Sequence, residues 1–425
     1  MAAMIGVFVA LLVFGMPIAF ALGIAGTVGL LWMHIDLAVV AQRSFTGIDS
    51  FVLLAVPFFI LAGEIMSRGG ITERLVRLAA LLTRRARAGT AYAAIVSTLF
   101  FSGISGAALA DAAALGHVFI REMPKEGYRV DYTAALIAAG SMMGPIVPPS
   151  ILMVVYASVT QMSVIRLFVG GLIPGVVMAF SLAMVVALQA QRLSLPKSSI
   201  VIARSEVPRL IVEGMLVITV PMIIVGGIVF GIFTPTEAGG VAAIYAALVS
   251  TFVFRTVGWR DLWNCIVATA RTTATLYLII ASAAVVSYVL TLGGIAEEVR
   301  HVAALFTGHP TQFLCCAVVL MLLVGIFLEP GACIVLFMPL LFPPAVALGV
   351  DPVQFSIVAI LTITLGMIHP PVGLCLFVCC KIGNVSIFAV TRQIIPFFIV
   401  LVIVVALLIA FPPLSTALPG LLLKQ

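Results

Sequence analysis

Long runs of apolar residues follow one another along this chain, separated by short polar links. The runs include Ala3 to Leu31, Tyr132 to Tyr156, Phe168 to Leu188, Ile211 to Gly231, Pro235 to Phe254, Thr272 to Leu290, Phe355 to Val378 and Ile394 to Phe411. A helix needs about 20 such residues to cross a hydrocarbon layer about 30 Å thick, so the pattern predicts an all-α polytopic membrane protein with no separate soluble domain. Residues 90–120 and 311–342 are also apolar, but Ser102-Gly103-Ile104-Ser105-Gly106 interrupts one and Glu329-Pro330-Gly331 the other. At about 1.5 Å per residue, each stretch makes either one long helix or two short arms that enter and leave by the same face. Only two arms, a re-entrant hairpin, keep the basic links on one side of the membrane.

Composition sharpens this picture: a chain of 425 residues that is 63% hydrophobic and 9% charged cannot hide that much hydrocarbon inside a water-soluble globule. Its formal net charge of +6 points to the membrane surface and not to nucleic acid, because the basic residues cluster in links. Residues 68–89 carry Arg68, Arg74, Arg77, Arg84, Arg85 and Arg87 against Glu73, and residues 190–210 carry Arg192, Lys197, Arg204 and Arg209 against Glu206. The positive-inside rule puts both links in the cytoplasm and predicts a cytoplasmic N-terminus and an external C-terminus. The first run contains Ala19-Phe20-Ala21, which resembles a cleavage site, but it lacks a basic leading segment and continues to Leu31, so it reads as a retained helix. The seven cysteines lie in apolar runs with no histidine at metal-ligand spacing, and read as thiols packed among helices.

Glycine and proline marks recur at a nearly constant offset. Gly103-Ile104 matches Gly325-Ile326, Gly144 and Ile146 match Gly366 and Ile368, and Pro148-Pro149 matches Pro370-Pro371, each 222 positions later. Gly69-Gly70-Ile71 matches Gly293-Gly294-Ile295 at an offset of 224. The link after the first glycine pair is basic, whereas Glu297 and Glu298 accompany Arg300 after the second, so the two halves read as inverted. The expected organisation is a first repeat over 1–189 (hairpin 90–120, broken helix 132–156), a link with an extra helix over 190–234, and a second repeat over 235–425 (hairpin 311–342, broken helix 353–379). Such a pattern belongs to secondary transporters that bind their cargo near the bilayer midplane.

The broken spans suggest the chemistry. Prolines 148 and 149 carry no amide hydrogen and disrupt the preceding turn, so nearby carbonyls lose their helical partners. Unpaired carbonyls at this depth need protein or a polar cavity, and with hydroxyls they suit a small hard cation such as sodium. Two equivalent cation sites are expected. One combines Ser102, Gly103, Ser105, Gly106 and Asp111 with Gly144, Ile146 and Val147; the other combines Gly325 and Glu329 with Gly366, Ile368 and His369. An anion between them would meet Ser105, Ser141, Pro149, Ser150, Pro330, Pro371 and Gly373, where the half-helix from Ser150 points its positive end. Asp111 is an intramembrane carboxylate and a functional candidate by default, either in the cation shell or fixing the hairpin. Glu329 alternatively caps a helix that begins at Pro330, Thr234-Pro235-Thr236-Glu237 reads as a capping box, and His369 alternatively couples protons. Glu64 and Arg271 lie near span ends and are expected to reach the interface. No cofactor is expected beyond sodium as coupling ion, and no serine–histidine or metal-ligand constellation marks an enzyme. The distant alternative is an intramembrane hydrolase using Asp111, His117 and His369.

FFSGISGAALADAAALG (100 to 116), GPIVPPSILMVVYA (144 to 157), FTPTEAGGVAAIYA (233 to 246), GIFLEPGACIVLFMPLLFPPAVALGVDPVQF (325 to 355) and GMIHPPVGLCLFV (366 to 378) resemble the large membrane subunit of tripartite ATP-independent periplasmic (TRAP) transporters. The resemblance covers nearly the whole chain. It implies sodium-driven uptake of an organic acid anion, such as a C4-dicarboxylate, sialic acid or another sugar acid, across a bacterial inner membrane. It also implies two partners: a periplasmic substrate-binding protein that delivers the anion, and a small four-helix membrane subunit that braces the large one. The mechanism implied is an elevator, in which a transport domain of hairpins and broken spans moves against a scaffold. Two positions depart from the family pattern: Ala107, where a further serine is frequent, and His369, where threonine is common. The first removes a hydroxyl contact, and the second leaves proton coupling or a single sodium site open. A self-sufficient anion symporter without a binding protein is the nearer alternative.

Overall fold

The computed structural model describes residues 2–196, 205–370 and 373–423. The described residues form helices and no strands. The first half runs α1 (Ala2–Val13), α2 (Ile18–Trp32), α3 (Ala38–Ile48), α4 (Ala55–Arg68), α5 (Ile71–Thr83), α6 (Gly89–Ser105), α7 (Ala108–Glu122), α8 (Val130–Gly140), α9 (Ile151–Thr160) and α10 (Val164–Arg192). The second runs α11 (Val207–Val229), α12 (Pro235–Leu248), α13 (Trp259–Leu292), α14 (Ile295–Ala304), α15 (Pro310–Gly325), α16 (Pro330–Ala347), α17 (Pro352–Leu365), α18 (Leu374–Gly383), α19 (Ile387–Ala410) and α20 (Pro413–Leu422). Seven helical stretches are long and apolar enough to cross a membrane. The two predicted hairpins are the pairs α6–α7 and α15–α16, and the two predicted broken spans are α8–α9 and α17–α18.

Three expectations about elements change. The run Ala3 to Leu31 is two helices, because Gly15 turns the chain at φ +79 and Pro17 stands just before α2, where it cannot continue a hydrogen-bonded ladder. The span Thr272 to Leu290 extends back to Trp259, making a helix of 34 residues, about 51 Å long at 1.5 Å per residue. Its start is held by the Gly258 amide, which donates to Asp261 Oδ2 at 3.0 Å. The basic link 68–89 is itself mostly helix α5, and Arg74 does not reach for water. Its Nε donates to Glu213 Oε2 at 3.1 Å, Nη1 donates to the Gly70 carbonyl at 2.8 Å, and the guanidinium carbon lies 3.9 Å from the centroid of the Phe254 ring. The capping box at the start of α12 is present: the Thr234 amide donates to Glu237 Oε2 at 2.8 Å and the Glu237 amide donates to Thr234 Oγ1 at 3.3 Å. Lys197 and Arg204 of the second basic link lie outside the described residues.

Turn conformations repeat between the halves. Gly70 and Gly294 are both left-handed, at φ +66 and +80, and precede α5 and α14. Gly127 and Gly349 are left-handed at φ +98 and +90. Gln161 and Asn384 end α9 and α18 in the same region, at φ +58 and +49. Across the halves, α7 packs on α18 and α16 packs on α9, so an arm of each hairpin rests on the second part of the other half's broken span.

Candidate functional site

Helix α6 stops at Ser105 because Gly106 adopts φ +61, a conformation that costs an L-residue roughly 1–2 kcal/mol, and α7 starts two residues later. Asp111, in the first turn of α7, is fully buried and folds back over this tip. Ser102 Oγ donates to its Oδ2 at 2.6 Å, and Ser105 Oγ donates to its Oδ1. Hydrogen bonds to a charged group contribute about 1.5–3 kcal/mol each, so the carboxylate ties both arms of the hairpin together. The tip is seated on the first broken span: the Ile151 amide donates to the Gly106 carbonyl at 3.2 Å. A Cβ on Gly106 would lie 2.5 Å from the Pro149 oxygen, and one on Gly144 would lie 2.7 Å from Asp111 Oδ2. The backbone therefore comes this close only with glycine at both positions. Gly103 faces the Pro148 carbonyl, so the hairpin tip and the first break meet here as well.

Two residues that sequence reasoning missed support the other side of this break. A Cβ on Gly171 of α10 would overlap the Ile146 carbonyl oxygen, and one on Gly175 would lie 2.6 Å from Val147 Cγ2. Their spacing, one helical turn, is the small-residue pattern of close helix packing in membranes, a signal present in the sequence at Gly171-Leu172-Ile173-Pro174-Gly175.

The second break is equally tight. A Cβ on Gly366 would overlap the Gly325 carbonyl, one on Gly325 would lie 2.7 Å from the Ile363 oxygen, and one on Gly373 would lie 2.5 Å from the Met367 oxygen. Ile368 is buried. Glu329 stands at the N-terminal end of α16, and its Oε2 is buried without a hydrogen-bond partner among the described residues. His369 packs edge-on to Phe398, ring centroids 5.3 Å apart, and its Nδ1 has no partner among the described residues. Pro371 lies outside the described residues.

A cavity of about 520 Å³ lies where these pieces meet, lined by Ser105 and Gly106 from one hairpin, Glu329 and Pro330 from the other, and Pro145 and Met367 from the two breaks. Ser141, Pro149, Ser150 and Gly373 do not line it. Ser141 Oγ instead donates to the Ala138 carbonyl at 2.8 Å. Ser150 caps α9, accepting from the Met153 amide at 3.2 Å while its hydroxyl donates to the Pro145 carbonyl at 2.6 Å. Both serines thus give their hydroxyl protons to protein carbonyls. Glu64, expected at the interface, lines the cavity with Ser67, Thr272 and His117, and its Oε2 stands 3.8 Å from Arg68 Nε.

The N-terminal ends of α7, α9 and α16 border the cavity through Ala108, Ile151 and Pro330, and no lysine or arginine does so. The N-terminal ends of helices carry partial positive charge, so an anion here would be balanced by peptide dipoles and not by side-chain cations of the described lining. No group of three His, Cys, Asp or Glu side chains stands together among the described residues. A cation at either break would therefore have to be met by carbonyl and hydroxyl oxygens around one carboxylate, the donor set of hard cations.

Residues 5–414 match the family described as tripartite ATP-independent periplasmic transporter, DctM component. The chain is 35% identical over 417 residues to the sialic acid TRAP transporter large permease protein SiaM of Vibrio cholerae, with 97% of each chain covered. It is 36% identical to the C4-dicarboxylate TRAP transporter large permease protein DctM of the same species, with 98% of this chain and 96% of that one covered. It is 33% identical to the 2,3-diketo-L-gulonate TRAP transporter large permease protein YiaN of Escherichia coli, with 94% of each covered. Among solved structures, the Alcanivorax borkumensis YdaH transporter superposes with a TM-score of 0.65 at 13% identity, covering 89% of this chain and 88% of that one. The Neisseria gonorrhoeae efflux pump MtrF superposes at 0.59 and 12% identity, covering 88% and 84%. These last two likenesses concern the fold alone.

Proposed function

This chain belongs to the DctM component family of tripartite ATP-independent periplasmic transporters, and on that premise we propose that it is the large membrane subunit of a secondary carrier in a bacterial inner membrane. In this reading it takes up an organic acid anion at the expense of the sodium gradient. A periplasmic binding protein delivers the anion, and a small membrane subunit braces the scaffold. The substrates named for the relatives support a small organic acid as the cargo.

The observation that supports this reading best is the cavity itself, where both hairpin ends and both broken spans meet beside three helix N-termini. Asp111 with Ser102 and Ser105 is the first sodium candidate, and Glu329 with the backbone around Gly366 is the second. His369 there makes a proton an alternative coupling ion. The repeated left-handed turns and the reciprocal packing of α7 on α18 and α16 on α9 favour two inverted halves forming one moving body. Helices α4 and α13 serve as its track in an elevator movement. The test is uptake of an organic acid into proteoliposomes holding the full complex, with and without binding protein, under an inward sodium gradient. Gradient-driven, binding-protein-dependent uptake is expected. Uptake that ignores the gradient, or sodium dependence that survives in both Ser105→Ala and Asp111→Ala, sinks the coupling scheme.

A further inference from the structure

A second cavity, of about 700 Å³, lies at the other end of α13. Ile280, Ala284, Ser287 and Thr291 of α13 line it, continuing at spacings of three and four residues the row that Thr272 and Leu276 begin in the first cavity. From Thr272 to Thr291 this row spans about 28 Å at 1.5 Å per residue, close to the thickness of the hydrocarbon layer. Facing it are Ser158 of α9 and Pro339 of α16. The two cavities thus separate the same elements at opposite ends of this row, and this one lies farther along α13 from the basic residues Arg255 and Arg260 at its start.

Arg43 of α3 is the one cationic side chain in its lining among the described residues. The guanidinium carbon stands 3.8 Å from the centroid of the Tyr288 ring, so tyrosine occupies one face of the guanidinium and leaves its planar edge free. Nε is buried without a hydrogen-bond partner among the described residues. Asp49 shares the cavity but makes no ion pair with Arg43. A buried donor left unpaired is costly, and a planar donor edge matches the two oxygens of a carboxylate. The hydroxyls of Ser158 and Thr291 donate to the Val155 and Ser287 carbonyls and keep their lone pairs for a ligand hydroxyl.

We propose that this cavity is an outer binding site in which Arg43 captures the carboxylate of the transported organic acid before it reaches the hairpin tips. The identity of the ligand rests on the transport reading above; the electrostatic prediction does not. The experiment uses the full-length chain in proteoliposomes carrying Ser158→Cys, with labelling at that position read by peptide mass spectrometry so that the native thiols do not interfere. The preference for a sulfonate-bearing over a trimethylammonium-bearing methanethiosulfonate is expected to fall about tenfold in Arg43→Gln and to persist in Arg43→Lys. Gluconate, as a probe carboxylate, is expected to slow the labelling only where the arginine remains. A reagent preference unmoved by Arg43→Gln overturns the site. Should that variant not fold, phenylglyoxal modification of Arg43 in the otherwise unchanged chain decides the matter: protection by gluconate supports the site, and equal rates with and without it overturn the site. Loss of sodium-driven uptake while the labelling preference holds would count against the transport reading alone.

Discussion

Asp111 carries two demands that separate on substitution. Its hydrogen bonds from Ser102 and Ser105 tie the hairpin tip, and under the proposed function its charge would supply the anionic part of a cation shell. Asp111→Asn keeps the shape and removes the charge, so the half-saturating sodium concentration for uptake is expected to rise tenfold or more, about 1.4 kcal/mol or above. The thermal midpoint should move less than in Asp111→Ala. Gly106→Ala attacks the tip differently, by strain: a left-handed φ and an oxygen 2.5 Å from the new carbon should cost about 2 kcal/mol or more and lower the thermal midpoint. Asp111 was legible in the sequence because a carboxylate in an apolar run has few structural excuses. The opposite fate of Ser141 and Ser150 was not legible, since a serine beside a broken helix serves equally well as a ligand or as a cap, and only the positions of the Ala138 and Pro145 carbonyls decide.

Helices α10 and α13 are surfaces against which hairpin arms and the first broken span pack. On α10, Gly171 leaves room for the Ile146 carbonyl, so Gly171→Ala should displace the first break and reduce both uptake and stability. Gly226→Ala on α11, where nothing lies within 4 Å, is the control, expected within about 1 kcal/mol of the parent chain because alanine is the better helix former. Comparing the two melting temperatures checks whether contact or helix propensity governs. Arg74 joins α5 to α11 through a largely buried pair with Glu213, and Arg74→Ala should destabilise by about 1–3 kcal/mol. Arg209, also paired with Glu213 at 2.7 Å, should soften that loss in a double-mutant cycle. Element boundaries were read well where glycine or proline breaks an apolar run, and poorly where an amphipathic helix such as α5 passes for a charged link.

Across the whole molecule, two cavities at opposite ends of one row on α13 are what a body sliding along that helix would produce. Introduced thiols at Thr272 and Thr291 should therefore respond in opposite directions: conditions that raise labelling of one lower labelling of the other, as followed by mass spectrometry. Parallel changes would rule out the sliding arrangement. The sequence alone determined that the chain lives in a membrane, where its helices pause and that its two halves echo each other, because these properties follow from hydropathy, from proline's missing donor and from glycine spacing, all local to the chain. The tertiary structure decided which polar groups near those pauses stay unpaired, that Glu64 joins the cavity, that Gly171 and Gly175 seat a break, and that Arg43 presents an unused edge. Those outcomes depend on which atoms from distant segments arrive within hydrogen-bonding reach, and no local pattern encodes that distance.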